Sequence, residues 1–167
     1  MFYKMNFKYK FRQALAITAL LMAVYSLSGC GKLNHFEKNV AIPGHAWSSD
    51  FQPEINVLIT DTASAYDLFL VLRHTNSYRW NNLWINFYIK HPGEEEFKAQ
   101  RLEVVLATDD KGWLGSGMDN IFEQRQLIFQ DFKFPDTGTY VFRLEQIMRE
   151  DPLQEVLNAG IRLQKIP

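Results

Sequence analysis

From residue 55 the chain alternates. Ile55, Val57 and Ile59 are interleaved with Asn56, Leu58 and Thr60, and Leu102, Val104 and Leu106 with Arg101, Glu103 and Val105. Tyr140, Phe142 and Leu144 are interleaved with Val141, Arg143 and Glu145, and Ile161 and Leu163 with Arg162 and Gln164. One apolar face and one wetter face is the pattern of half-buried antiparallel strands. Tyr66 to Leu72 is apolar on both sides, as a central strand is, and runs at Asn39 to Ile42, Leu83 to Lys90 and Leu127 to Phe134 bring the expected total to about eight. Turn residues separate them: His91-Pro92-Gly93 ahead of Glu94, Glu95 and Glu96 makes one hairpin tip, and Thr108 to Gly112 another. Two short stretches have helical spacing, Met118-Ile121-Phe122-Arg125 and Asp151 to Leu157. Many short strands with turns between them predict an all-β protein, an antiparallel β-sandwich of immunoglobulin-like or Greek-key type.

One local signature bears on topology. Asp136-Thr137-Gly138-Thr139-Tyr140-Val141-Phe142 resembles the D-x-G-x-Y-x-F approach to a late strand in immunoglobulin-like sandwiches. There the tyrosine hydroxyl bonds back to the preceding corner. Tyr140 is then the corner residue, with Ala159 to Lys165 as the closing strand beside it. A plain turn glycine ahead of any strand is the competing reading, and both leave a sandwich.

The start of the chain is different. Residues 1–12 carry Lys4, Lys8, Lys10 and Arg12 and no acid, and either Met1 or Met5 can serve as initiator. Ala14 to Leu27 is uncharged, too short for the ~20 residues a bilayer span needs. A basic start, a short apolar middle and a small-residue end read as a secretory signal. It closes on Leu27-Ser28-Gly29-Cys30, which resembles the lipobox of bacterial lipoproteins. Cleavage before Cys30, the only cysteine, would leave its sulfur carrying diacylglycerol and its amine carrying an N-acyl chain, such as palmitate. The competing reading is a stray cysteine after an ordinary signal. Two or three acyl chains, at about 0.8 kcal/mol per buried CH₂, give durable attachment where one chain does not. The expected organisation is therefore a signal peptide at 1–29, a lipidated cysteine and polar tether at 30–38, and a single sandwich domain at 39–167.

Removing residues 1–29 takes away four basic residues and no acid, so 14 Lys and Arg face 19 Asp and Glu and the net charge moves from −1 to −5. A mildly acidic domain has no electrostatic reason to bind nucleic acid. With no cysteine after Cys30, no disulfide or thiolate metal site can form within the domain. Thirteen Phe, seven Tyr and four Trp point to a core rich in rings.

The motifs of catalysis are not found. Gly115-Ser116-Gly117 lacks the spacing of a nucleophile elbow, and His35, His45, His74 and His91 are never paired at ligand spacing. Asp109 and Asp110 lack further oxygen ligands at fixed offsets and read as turn residues. The expectation is no enzyme, no metal and no cofactor beyond the lipid. The stretch of most interest is 72–90, LRHTNSYRWNNLWINFYIK. Leu83, Ile85, Phe87 and Ile89 make an aliphatic face, opposite Trp84, Asn86, Tyr88 and Lys90. Rings interleaved with amides suit a partner protein or a sugar. The competing reading puts Trp84 and Tyr88 under a loop, with Asn86 bonding the backbone. Arg73 and His74, after an apolar strand, either form an internal polar cluster or face a partner. Trp113 is expected to plug one end of the sandwich, and Arg149 and Glu150 to cap the turn before the last strand.

Several stretches together carry a family resemblance: the lipobox, IPGHAW (42–47), LRHT (72–75), YRWNNLWIN (78–86), WLGSGM (113–118), LEQIMREDPL (144–153) and NAGIRL (158–163). In this order they resemble the gliding-motility lipoprotein GldH family of Bacteroidota. The resemblance implies a membrane-anchored envelope lipoprotein associated with gliding, a movement linked to the type IX secretion apparatus. It implies envelope or gliding-machinery partners and no catalytic residues, and its lipid attachment falls on Cys30. Gly31 is not the aspartate that retains some lipoproteins in the inner membrane, and no acid precedes Glu37; the expected location is the outer membrane, facing the periplasm. The alternative function is an envelope glycan- or peptidoglycan-binding sandwich.

Overall fold

The alternating segments become strands with their apolar positions on one side: Ile55, Val57 and Ile59 are buried while Glu54, Asn56 and Leu58 face out. The computed structural model describes residues 35–166. In chain order the strands are β1 (His35–Ala41), β2 (Ala46–Trp47), β3 (Glu54–Ile59), β4 (Tyr66–Thr75), β5 (Asn82–Lys90), β6 (Lys98–Val105) and β7 (Ala107–Thr108). They continue with β8 (Gly112–Trp113), β9 (Ser116–Met118), β10 (Ile121–Phe132), β11 (Gly138–Gln146), β12 (Leu153–Gln154) and β13 (Val156–Lys165).

Two antiparallel sheets face each other, one ordered β1-β13-β4-β10-β9 and the other β3-β11-β5-β6, with small ribbons β12-β2 and β7-β8 at their margins. The core between them is built from alternate residues of both sheets, including Leu68, Leu70 and Leu72 of β4, Leu83, Ile85 and Phe87 of β5, and Tyr140, Phe142 and Leu144 of β11. The expected all-β antiparallel sandwich is therefore observed.

Topology refines the expectation. The eight long strands in chain order are β1, β3, β4, β5, β6, β10, β11 and β13. First pairs with last, second with seventh, third with sixth and fourth with fifth. This is one long hairpin rolled up on itself, the double Greek key of a jelly roll. It is not the immunoglobulin arrangement. The expected closing strand does not lie beside Tyr140; β13 pairs with β1 and β4 in the opposite sheet, because residues 147–155 carry the chain across. The tyrosine corner forms all the same: Tyr140 Oη donates to the Asp136 carbonyl at 3.1 Å and accepts from the Asp136 N–H at 3.3 Å.

Both helical expectations are corrected. Met118 and Ile121 sit opposite each other in the β9–β10 hairpin, whose turn places Asp119 at φ +56°. The i, i+3 spacing is that of residues flanking a two-residue turn. At 151–157, Leu153 and Val156 are both buried at the same spacing, yet one belongs to β12 and the other to β13, with Glu155 at φ +70° between them. Strand limits also differ: β1 begins at His35, inside the expected tether, and β10 begins at Ile121 where 127 was expected.

Outside the core, the five-stranded sheet carries a chain of charges. Arg125 of β10 bonds Glu37 of β1 through Nε and Nη2, both at 3.1 Å, although β4 and β13 lie between them. The registered row is Arg125–Val71–Gly160–Asn39: small Val71 lies beside the arginine, and side-chain-free Gly160 admits the Asn39 side chain, whose Nδ2 donates to Glu37. Val71 is wholly buried on this outer face. Arg162 also holds Glu37, at 3.2 Å, and Glu123 joins Arg125 to Arg73. Burial of Glu37 opposes its ionisation, but the hydrogen bonds from Arg125 and Arg162 outweigh it and hold the carboxyl below its usual range.

Two substitutions test this architecture by urea denaturation of the full chain. Tyr140→Phe removes only the corner hydroxyl and should cost about 1 kcal/mol. Gly160→Ala places a Cβ 2.1 Å from Asn39 Oδ1 and 2.3 Å from the Lys38 carbonyl, so β1 must shift. It should cost about 1–3 kcal/mol, as overpacking does.

Candidate functional site

The outer face of β5 is where sequence pointed, and Trp84, Asn86 and Tyr88 do share that half-exposed face. Register places Glu145 of β11 opposite Asn86 and Arg143 opposite Tyr88. Glu145 Oε2 accepts from Asn86 Nδ2 at 2.9 Å and from Tyr88 Oη at 2.5 Å. That bond to the Glu145 carboxylate, reinforced by burial, raises the Tyr88 phenol above its ordinary range. Arg143 pairs with Glu54 at 2.6 Å and lies 3.8 Å from the Phe97 ring centroid. Asn86 thus bonds side chains of its own sheet rather than a loop backbone, and the lower half of the face is internally satisfied.

Trp84 belongs to a different neighbourhood. The Arg101 guanidinium of β6 lies over it, 4.6 Å from the ring centroid, a cation–π contact. Beside this pair an open recess of about 360 Å³ is lined by Trp80, Trp84, Arg101, Ile147, Met148 and Arg149. Trp80 is 43% exposed, and its indole N–H donates to Glu150 Oε2 at 3.0 Å.

The wall of this recess is fixed from beneath. Gln146 is wholly buried; its Oε1 accepts the Met148 N–H at 2.8 Å, and its Nε2 donates to the Trp47 carbonyl and Asp151 Oδ1, each at 3.3 Å. Ile147 N–H donates to the Trp84 carbonyl at 3.0 Å, and Trp84 N–H to Met148 Sδ at 3.3 Å. Asp151 accepts from Ser49 N–H at 2.9 Å and from its hydroxyl; these bonds, with help from Gln146, lower its pKa.

Arg73 and His74 lie elsewhere. Arg73 is on the outer face of the five-stranded sheet, 3.6 Å from Glu123. His74, one residue on, points inward and is wholly buried, with Trp113, Tyr78 and Phe122 ring centroids at 4.6, 5.4 and 5.8 Å. Trp113 therefore helps plug that end of the sandwich. The His74 Nδ1 lies 2.8 Å from the Thr75 carbonyl, while Nε2 has no partner. The five expected residues do not converge: three share one outer face, Arg73 the opposite one, and His74 is core. Cys30 lies outside the described residues. Sequence reasoning missed Arg101 and Arg149 as parts of a site. Arg101 had a legible signal in its outward position on the strand pairing with β5; Arg149, held by a loop, had none.

Among the described residues there is no cluster of three or more His, Cys, Asp or Glu able to hold a metal, and no helix long and apolar enough to cross a membrane.

Residues 34–163 match the family model described as GldH lipoprotein. The chain belongs to the GldH lipoprotein family. It is 27% identical to the "Gliding motility lipoprotein GldH homolog" of Christiangramia forsetii, over 92% of this chain and 98% of that protein. It is 29% identical to the "Gliding motility lipoprotein GldH" of Flavobacterium johnsoniae, over 87% of this chain and 94% of the relative. Membership makes the chain an envelope lipoprotein, as the resemblance implied.

The buried His74 gives a pH test. Burial lowers its folded pKa, against the opposing effect of the Thr75 carbonyl bond. The unfolded imidazole binds a proton below about pH 6.5 that the folded one resists, so stability should fall as pH drops from 6.5 toward 5. Glu37 and Asp151, whose folded pKa values are lowered, lose stability only below about pH 4. Urea midpoints measured from pH 7 to 5 should fall in the wild type and flatten in His74→Phe.

Proposed function

We propose that this chain is a lipid-anchored, non-catalytic component of gliding motility that works by holding other envelope proteins, including those of the type IX secretion machinery. The observation that carries this is the match to two gliding motility lipoproteins across 94% or more of their length. Cys30 is the lipid attachment point, supported by the lipobox ahead of it and by family membership. The anchor lies in the outer membrane, facing the periplasm, in keeping with Gly31 after the cysteine and no acid before Glu37.

The outer face of β5 is the surface offered to those partners. Aromatic residues beside arginines are what binding hot spots favour. Trp84→Ala should leave the unfolding free energy within about 1 kcal/mol of the wild type, its ring being only half-buried, yet cut recovery of partners in crosslinked pull-downs from envelope membranes. Tyr88→Ala should also cut recovery, with a further stability loss of about 1–3 kcal/mol because it removes the bond to the Glu145 carboxylate. Wild-type recovery with both variants would remove this face from the proposal.

Lipidation has its own readout. Cys30→Ser should abolish palmitate labelling and release the protein from its membrane fraction, and a signal peptidase II inhibitor should make the precursor accumulate. An unlabelled wild type would overturn the anchor.

A further inference from the structure

The geometry points to the Trp80–Trp84–Arg101–Arg149 recess as a binding site for a carboxylated saccharide, a uronic-acid-bearing glycan. Among the described residues neither Arg101 nor Arg149 has an ion-pair partner, whereas Arg73, Arg125, Arg143 and Arg162 each have one. The nearby acids are turned to other donors, Glu103 accepting from Asn82 at 2.6 Å and Glu150 from the Trp80 indole at 3.0 Å, and neither pairs with Arg101 or Arg149. Two free guanidinium groups at the edge of an aromatic recess match a carboxylate, to which arginine donates in bidentate fashion. The contact with Trp84 holds the Arg101 guanidinium beside the recess.

The rest of the recess suits a sugar ring. Trp80 leaves 43% of its surface open, an indole face for the C–H side of a pyranose, and Glu150 at its rim can accept from hydroxyls. About 360 Å³ holds a small saccharide segment, within the range of small-molecule sites. The site is built rather than incidental, because buried Gln146 and the two bonds to the Trp84 backbone set the 147–149 wall.

An extended peptide is disfavoured by the strand edge next to the recess. Peptides commonly bind by adding a strand to such an edge. Glu103, the residue of edge strand β6 opposite Trp84, instead gives its carbonyl to Gln126 Nε2 at 3.3 Å, and Val105 N–H donates to Gln126 Oε1 at 3.3 Å. The Gln126 side chain takes the two main-chain groups of the edge nearest Trp84, so recognition at the recess falls to rings and guanidinium groups.

The test is a tryptophan-fluorescence titration of the full chain in detergent with tetra-galacturonate and alginate tetrasaccharides, alongside cellotetraose and a tetra-glutamate peptide. Saturable binding of at least one uronate, ten-fold or more tighter than cellotetraose and tetra-glutamate, is expected. Arg101→Gln and Arg149→Gln, both exposed and unpaired, should each weaken it at least ten-fold while the urea midpoint holds. The assignment is overturned by no saturation up to millimolar uronate, by equal binding of cellotetraose or of tetra-glutamate, or by wild-type affinity in both variants. The proposal does not rest on the gliding role: loss of partner recovery with intact uronate binding would separate the two.

Discussion

The single cysteine lies ahead of the sandwich, so the domain is held together by burial between two sheets. That burial requires every long strand to keep its apolar positions facing inward. β3 does so without exception, and β11 does so at Tyr140, Phe142 and Leu144 before polar Gln146 takes the next buried position. β4 departs from it at one point, Val71, which is buried on the outer face because Arg125 crosses over it to reach Glu37. Surface ion pairs contribute little one at a time. Here the arginine stem also covers an aliphatic side chain that would otherwise meet water.

The two outer faces consequently differ. On the five-stranded sheet, Glu123, Arg125, Glu37 and Arg162 satisfy one another, while Arg73 Nε, 3.6 Å from Glu123, has no hydrogen-bond partner. On the four-stranded sheet, the same kind of mutual satisfaction covers Arg143, Glu54, Tyr88, Asn86 and Glu145. It stops at Trp84, where Arg101 and the 147–149 loop leave charge and ring surface uncommitted.

Much of this was legible beforehand. Period-two alternation located β3, β5, β11 and β13, and the D-x-G-x-Y-x-F run located the tyrosine corner, because both signals are local. Strand partnership was not legible: nothing in residues 156–165 says whether they join Tyr140's sheet or cross to the other. The β9–β10 hairpin looked helical because a two-residue turn puts Met118 and Ile121 three apart. The β5 face of the candidate site could be read from alternation alone. Its arginines could not, since Arg101 comes from a neighbouring strand and Arg149 from a loop ordered by Gln146. His74 looked available for binding only because sequence does not reveal that Phe122, Trp113 and Tyr78 close around it.

The early start of β1 has a mechanical consequence. Four residues separate Cys30 from His35, and at most about 3.6 Å per residue is available to a stretched chain. With the proposed anchor at that cysteine, the domain would ride within about 15–20 Å of the bilayer surface, and drag on it would enter the sheet at His35. Its partner there is Gln164, near the far end of β13. Tension would therefore unzip the first strand from the last one pair at a time, and the Arg162–Glu37–Arg125 clasp, two residues in, is the latch that it meets.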